Sequence, residues 1–158
     1  MSEDYIWNPE DDGITHINVY SKGKTELGRW LTNFATSPFE HPVHGSFVSM
    51  EGFWYWLRTG MKVDAFRTLN GWDAKKLGKV TTKVEMDQWA FQNNVKFAIR
   101  CKLLAHPKML NKLLDTTLPL GHYYVYGGKA VHAGYEWITE FYEEVRSACH
   151  LNNWRATC

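Results

Sequence analysis

The segment Ser49-Met50-Glu51-Gly52-Phe53-Trp54-Tyr55-Trp56 places one carboxylate inside a run of aromatic rings. A carboxylate among rings is costly to bury unless it gains a partner. Upstream, Arg29-Trp30-Leu31-Thr32-Asn33-Phe34 adds a cation, an amide and two more rings. Rings of this kind stack on planar groups, a guanidinium suits bidentate phosphate binding, and a perturbed carboxylate can move a proton or stabilise charge. The combination points to a nucleotide or nucleoside site. Glu51 therefore reads as a cleft carboxylate rather than a solvated one. Asn33 reads either as a turn residue or as a hydrogen-bonding group of the pocket. Trp89, in Asp87-Gln88-Trp89, would on its own read as core.

Other motifs are discounted. His41-x-x-His44 has metal-like spacing, but no Cys or carboxylate cluster completes a set, so no metal is expected. Gly127-Gly128-Lys129 lacks the spacing of a phosphate loop or a dinucleotide fingerprint, and no cofactor is expected. Cys101 falls on an apolar stripe and reads as core. Lys75-Lys76 reads as a solvated face, and no nucleophile elbow is present.

The elements that must position these groups follow from the pattern. Alternation over 17–20 predicts a short strand, followed by a turn at 21–24. Residues 27–34 are ambiguous. Ser37-Pro38 and His41-Pro42 mark loop, with a strand near 45–48. Ser49 is a candidate N-cap for a helix over 50–58 that stops near Gly60. This puts Glu51 in the first turn, where the helix dipole favours the ionised form. A short helix is expected from Asp73 to Gly78. The longest helix is predicted over 85–105, with Met86, Ala90, Phe97, Cys101 and Leu104 on its apolar stripe and Asn93 among them. Pro107 opens another helix. Residues 122–126 read as a strand before a Gly127-Gly128 turn. A last helix carries Trp137, Phe141, Val145 and Cys149. The lead-in over 1–14 reads as irregular and 15–158 as a single domain.

The chain has 158 residues, enough to bury a core without staples. Its 18 Lys plus Arg nearly balance 17 Asp plus Glu, which excludes a global basic field for nucleic acid. Trp, Tyr and Phe number eight each, more Trp than packing alone usually demands. The three cysteines form no framework, which fits a reducing cytosol. No apolar run reaches transmembrane length and the N-terminus is acidic, so the reading is soluble and cytoplasmic, with no membrane partner.

On these residues the chain resembles the NADAR domain, the YbiA-like N-glycosidase family. Leu27-Gly28-Arg29-Trp30-Leu31-Thr32-Asn33-Phe34 is similar to the family's early W-L-S-N-F segment. Ser49-Met50-Glu51 falls where the family has S-x-E-H-Y-Y-Q. Ala74-Lys75-Lys76-Leu77-Gly78 matches A-K-x-L-G. Trp89 and then Leu113-Leu114-Asp115-Thr116-Thr117 resemble its W-x-x-x-R and L-L-x-T-G order. The departures are Gly52 for His, Tyr55 for Gln and Asn93 for Arg. His122-Tyr123-Tyr124-Val125-Tyr126-Gly127 stands where the family has a late D-x-x-W-G segment.

The resemblance implies an α+β fold, mainly helical, with a few short strands and a long central helix. It implies cleavage of a ribosyl–base N-glycosidic bond. The named substrates are ADP-ribose on guanine, in DNA or nucleotides, or alternatively intermediates of riboflavin synthesis, with any DNA contact made through the modified base. It implies Glu51 and Trp89 as catalytic residues. Arg29, Asn33, Phe34, Phe53, Trp54, Asn93, His122 and Tyr123 are the expected substrate-binding set, with His122 or a tyrosine standing in for the missing Asp. The other class of function is a non-catalytic binder of ADP-ribose or a related nucleotide. A protein-interaction module built on the aromatic patch is a third.

Overall fold

The computed structural model describes residues 7–157. In chain order the elements are a 3-10 turn (Pro9–Asp11), β1 (Ile17–Asn18), α1 (Glu26–Trp30), β2 (Thr36–His41), β3 (Gly45–Ser49) and α2 (Met50–Arg58). A second 3-10 turn (Asp64–Thr68), α3 (Gly71–Val80), α4 (Gln88–Ala105) and α5 (Pro107–Asp115) follow. The chain closes with β4 (Leu120–Gly121), β5 (Tyr123–Tyr126), β6 (Lys129–His132) and α6 (Glu136–Leu151). This is the expected α+β class, with helices dominant and α4 the longest. Internal contacts define two compact units: one runs up to Thr32 and resumes at Lys108, and the other is Asn33–Pro107.

In the first unit, β1 pairs in parallel with β4, so the strand expected over 17–20 forms only in its first half. Asn18 is buried because it acts as a backbone mimic. Its amide donates to the Tyr123 carbonyl and its side-chain oxygen accepts from the Tyr123 N–H, both at 3.0 Å. The Asp12 carboxylate accepts from the N–H groups of Asn18 and Lys24 at 2.9 and 2.8 Å, closing the turn between them. The region 27–34, ambiguous in sequence, opens as α1, with Thr25 as N-cap accepting from the Gly28 N–H at 2.9 Å. A Cβ at Gly28 would lie 2.3 Å from the Asn18 carbonyl oxygen, so this close approach of helix to strand requires glycine. The expected strand and Gly127-Gly128 turn are present as β5 and its turn, both glycines at positive φ, and β6, which the sequence reading does not include, completes a hairpin. Along α6, Ile138, Phe141 and Tyr142 turn inward, and the Tyr142 hydroxyl donates to the Leu31 carbonyl at 3.0 Å.

In the second unit, β2 and β3 form an antiparallel pair. This corrects the reading of Ser37-Pro38 as loop, while Pro42 does lie in the turn that follows His41. Residues 36–41 are a strand, and Pro38 is tolerated because the register shifts between Thr36 and Phe39. His41 is buried at the strand's end. Its Nδ1 accepts from the N–H groups of Val43 and His44, both at 3.1 Å, so the histidine builds the turn. Phe39, Phe47, Phe53 and Phe91 are buried in the core with Val95 and Ile99.

α4 ends where expected but begins three residues later, with Asp87 as N-cap, and the face that the spacing assigns to the interior is not the buried one. Phe91, Val95, Ala98, Ile99, Lys102 and Leu103 are buried, whereas Trp89, Phe97 and Leu104 are exposed. The fully buried Lys102 lies on the inner face, where burial holds its ammonium down at about 7. α3 is also longer than expected: Asn70, rather than Asp73, is its N-cap, accepting from the Asp73 N–H at 2.9 Å, and it continues past Gly78 to Val80. Among the described residues, no helix is long and apolar enough to cross a membrane.

Candidate functional site

α2 starts as the sequence predicts. Ser49 Oγ accepts from the Gly52 N–H at 3.1 Å and donates to the Leu69 carbonyl at 3.0 Å. Gly52 is required here, because a Cβ would stand 2.4 Å from the Phe66 carbonyl oxygen. The cap places Glu51 in the first turn, as expected.

The electrostatic expectation for Glu51 is overturned. A first-turn carboxylate gains from the helix dipole, an effect of about 0.3–1 kcal/mol at exposed sites. Here burial outweighs it and pushes the carboxyl up to about 7, while the charge of Lys75 pulls in the opposite direction. Near neutral pH the group is poised between acid and base.

The backbone N–H of Glu51 donates to the carbonyl of Asn33 at 2.8 Å. The side-chain oxygen of Asn33 is buried without a hydrogen-bond partner. Such an atom costs about 1–3 kcal/mol when left unsatisfied, and native structures hold few of them. Phe34 continues the same stretch. Its ring meets Trp72 edge to face, with centroids 5.3 Å apart and planes at 73°. Lys75 Nζ lies 5.5 Å from the centre of the Phe34 ring. A Cβ on Gly71 would fall 2.4 Å from the Phe34 Cα, so the first turn of α3 rests directly on this backbone. The dipeptide Asn33-Phe34 thus joins the starts of α2 and α3.

Of the residues singled out in the sequence, Asn33, Phe34 and Glu51 are brought together here. Phe53 and Trp54 are buried and make core contacts: Phe53 meets Phe47 edge-on at 5.0 Å and Trp54 meets Phe91 edge-on at 4.7 Å. Trp89 is 76% exposed. It shares its helix face with exposed Asn93 one turn on, about 200° around α4 from the buried Phe91. Asn93 is therefore not the polar residue on an apolar stripe that the spacing suggested.

Arg29, His122 and Tyr123 belong to the first unit. The exposed Arg29 donates to the Gly23 carbonyl at 2.8 Å. His122 Nδ1 donates to the Val19 carbonyl at 2.7 Å, and burial holds the ring below its ordinary pKa. Tyr123 is fully buried with its hydroxyl 2.5 Å from His16 Nε2, so its phenol is engaged inside that unit.

Two residues of the site were missed. Trp72 was not singled out, and Lys75 was read as part of a solvated face. Lys75 is half-buried while Lys76 is exposed. The signal was present: Trp72 and Lys75 stand three apart, on one face of a helix begun by Asn70.

No family model and no curated protein sequence matches the chain. Its structure matches the solution structure of the E. coli protein YbiA with a TM-score of 0.66, over 90% of this chain and 92% of that chain, at 17% sequence identity. The chain has the YbiA fold. The fold implied by the NADAR-like motifs is therefore the one observed. At this identity the YbiA likeness carries the architecture, and each residue's role has to be argued from its own surroundings.

Proposed function

We propose that the chain is an N-glycosidase that cleaves a ribosyl–base bond, with ADP-ribose on guanine as its substrate and Glu51 as its central catalytic residue. The observation that carries this reading is the part-buried Glu51 carboxyl, pushed up to about 7, in a residue whose N–H is bonded at 2.8 Å to the backbone of Asn33, which also carries a buried side-chain oxygen without a donor. A group with a pKa near working pH transfers protons efficiently. Cleavage of an N-glycoside develops positive charge on the sugar, as in other glycoside hydrolysis. The ionised Glu51 would stabilise that charge or take a proton from the attacking water. Lys75 keeps the ionised form accessible in a site where burial disfavours it.

The test is release of ADP-ribose from ADP-ribosylated guanine in DNA, with wild type and Glu51→Ala side by side. Release by wild type alone supports the reading. Release by neither, on a substrate that an active relative cleaves, removes it.

A second reading, binding of ADP-ribose without turnover, is favoured by one observation. Tyr123, in the segment where the family's late Asp is expected, is buried against His16, and the segment 122–127 supplies no carboxylate. That reading predicts saturable ADP-ribose binding with no hydrolysis.

A further inference from the structure

Trp72 is the feature the catalytic account leaves unused. It is a large apolar side chain, 60% exposed, against Phe34, the residue that follows Asn33 and its buried acceptor without a donor. Phe34 meets it edge to face at 5.3 Å. That contact fixes the indole without covering both of its faces. Lys75, on the same face of α3, brings an ammonium to within 5.5 Å of the Phe34 ring centre. The lysine charge is felt at Glu51, and the backbone of Asn33 is bonded to that residue at 2.8 Å. An open ring, a cation, an unsatisfied acceptor and the backbone of Glu51 thus all meet the Asn33-Phe34 stretch.

We propose that Phe34, Trp72 and Lys75 form the seat for the substrate's nucleobase, with Trp72 as the stacking ring and Asn33 Oδ1 accepting from an N–H or O–H of the same ligand. This rests on the nucleoside reading of the Glu51 site and adds to it the residue that holds the base. An aromatic platform is sequence-tolerant because every base has a π-face. Orientation must therefore come from polar groups, and a buried acceptor favours a ligand that brings a donor while disfavouring one that does not. Trp89, though more exposed, stands with Asn93 on the outer face of α4. The seat assigns stacking to Trp72 in its place.

The test is calorimetric titration of the full chain with guanosine monophosphate and with ribose 5-phosphate, using wild type, Trp72→Ala, Trp72→Phe and, as a control, the exposed Trp154→Ala. Trp72→Ala is expected to weaken guanosine monophosphate by about tenfold or more and to leave ribose 5-phosphate unchanged. Trp72→Phe should recover most of the loss, and Trp154→Ala should bind as wild type. Equal loss for both ligands, or wild-type affinity in Trp72→Ala, would overturn the seat, as would a wild type that binds no guanosine monophosphate.

Asn33→Leu compared with Asn33→Asp separates acceptor from shape, because only the second keeps an oxygen in place. Loss of guanosine monophosphate binding in both to the same degree would remove the acceptor role. Turnover of ADP-ribosylated guanine distinguishes the two proposals. Turnover with an unchanged KM in Trp72→Ala sinks the seat and leaves the glycosidase. Trp72-dependent binding without any turnover sinks the glycosidase and leaves the seat.

Discussion

The backbone N–H of Glu51 donates to the carbonyl of Asn33 at 2.8 Å, which ties the first turn of α2 to the stretch that also carries Phe34. Through Phe34 the same stretch supports Gly71 and Trp72 at the start of α3. One short run of backbone therefore sets the positions of the carboxyl, the open ring and the lysine.

The raised pKa of Glu51 has a stability consequence with a definite sign. The folded state keeps the proton to higher pH than the unfolded chain, whose carboxyl titrates near 4.5. Stability therefore falls as pH rises through the window from 4.5 to about 7, and the full penalty applies above it. Glu51→Gln removes the ionisation. The variant should be more stable than wild type above neutral pH, by about 3 kcal/mol as an order of magnitude, and the gap should shrink toward the lower end of the window. Urea denaturation at a series of pH values measures this, and a gap that does not change with pH would contradict the assigned titration.

Lys75 opposes the effect of burial on Glu51. Lys75→Met should therefore move the Glu51 titration further to the alkaline side. Side-chain carboxyl chemical shifts followed against pH give the midpoint directly. A midpoint unchanged from wild type would mean that the ammonium does not act on this carboxyl.

Gly71 faces the Phe34 backbone, and an added Cβ would meet the Phe34 Cα at 2.4 Å and its oxygen at 2.6 Å. Both are main-chain atoms, so the strain has no easy outlet. Gly71→Ala should destabilise by about 1–3 kcal/mol, in the manner of an overpacked core, despite alanine's better helix propensity. Thermal unfolding decides it, since a stabilised Gly71→Ala protein would show that α3 does not rest on this backbone.

How much of this was legible in the sequence differs from residue to residue. The Ser49 cap and the placement of Glu51 in the first turn could be read because a cap is a local hydrogen bond between near neighbours. Asn33, Phe34 and Glu51 were named as site candidates and do come together. The ionisation state of Glu51 was misread, since the dipole is local whereas burial depends on the tertiary surroundings. α4 failed for a related reason. It carries large apolar side chains on both faces, and its inner face includes Lys102, so spacing alone could not choose the stripe. Phe53 and Trp54 lie close to Glu51 in sequence, but their rings are buried in the core: Phe53 stands about 200° around the helix from Glu51, and Trp54, nearer to it in angle, packs its ring on Phe91. Pro38 suggested loop, and only the pairing of Phe39 with Phe47 reveals the strand.

Tyr123 provides a test of structure against function in the first unit. Its hydroxyl is 2.5 Å from His16 Nε2 and its ring is buried. Tyr123→Phe should cost about 1–3 kcal/mol by leaving a buried imidazole nitrogen unsatisfied. Nucleotide affinity should stay at the wild-type value once the protein is folded. A selective loss of nucleotide binding with unchanged stability would instead return Tyr123 to the substrate-binding set.

The central claim is that the Glu51 carboxyl does the chemistry, and the most direct measurement is a pH–rate profile of ADP-ribose release from ADP-ribosylated guanine. Wild type and Glu51→Gln would be compared, with ligand binding measured in parallel. The account predicts a wild-type rate that rises with pH through a midpoint of about 7, as the carboxylate forms. It also predicts a Gln variant that still binds nucleotide but releases nothing. Release by Glu51→Gln at the wild-type rate, with the same pH dependence, would contradict it.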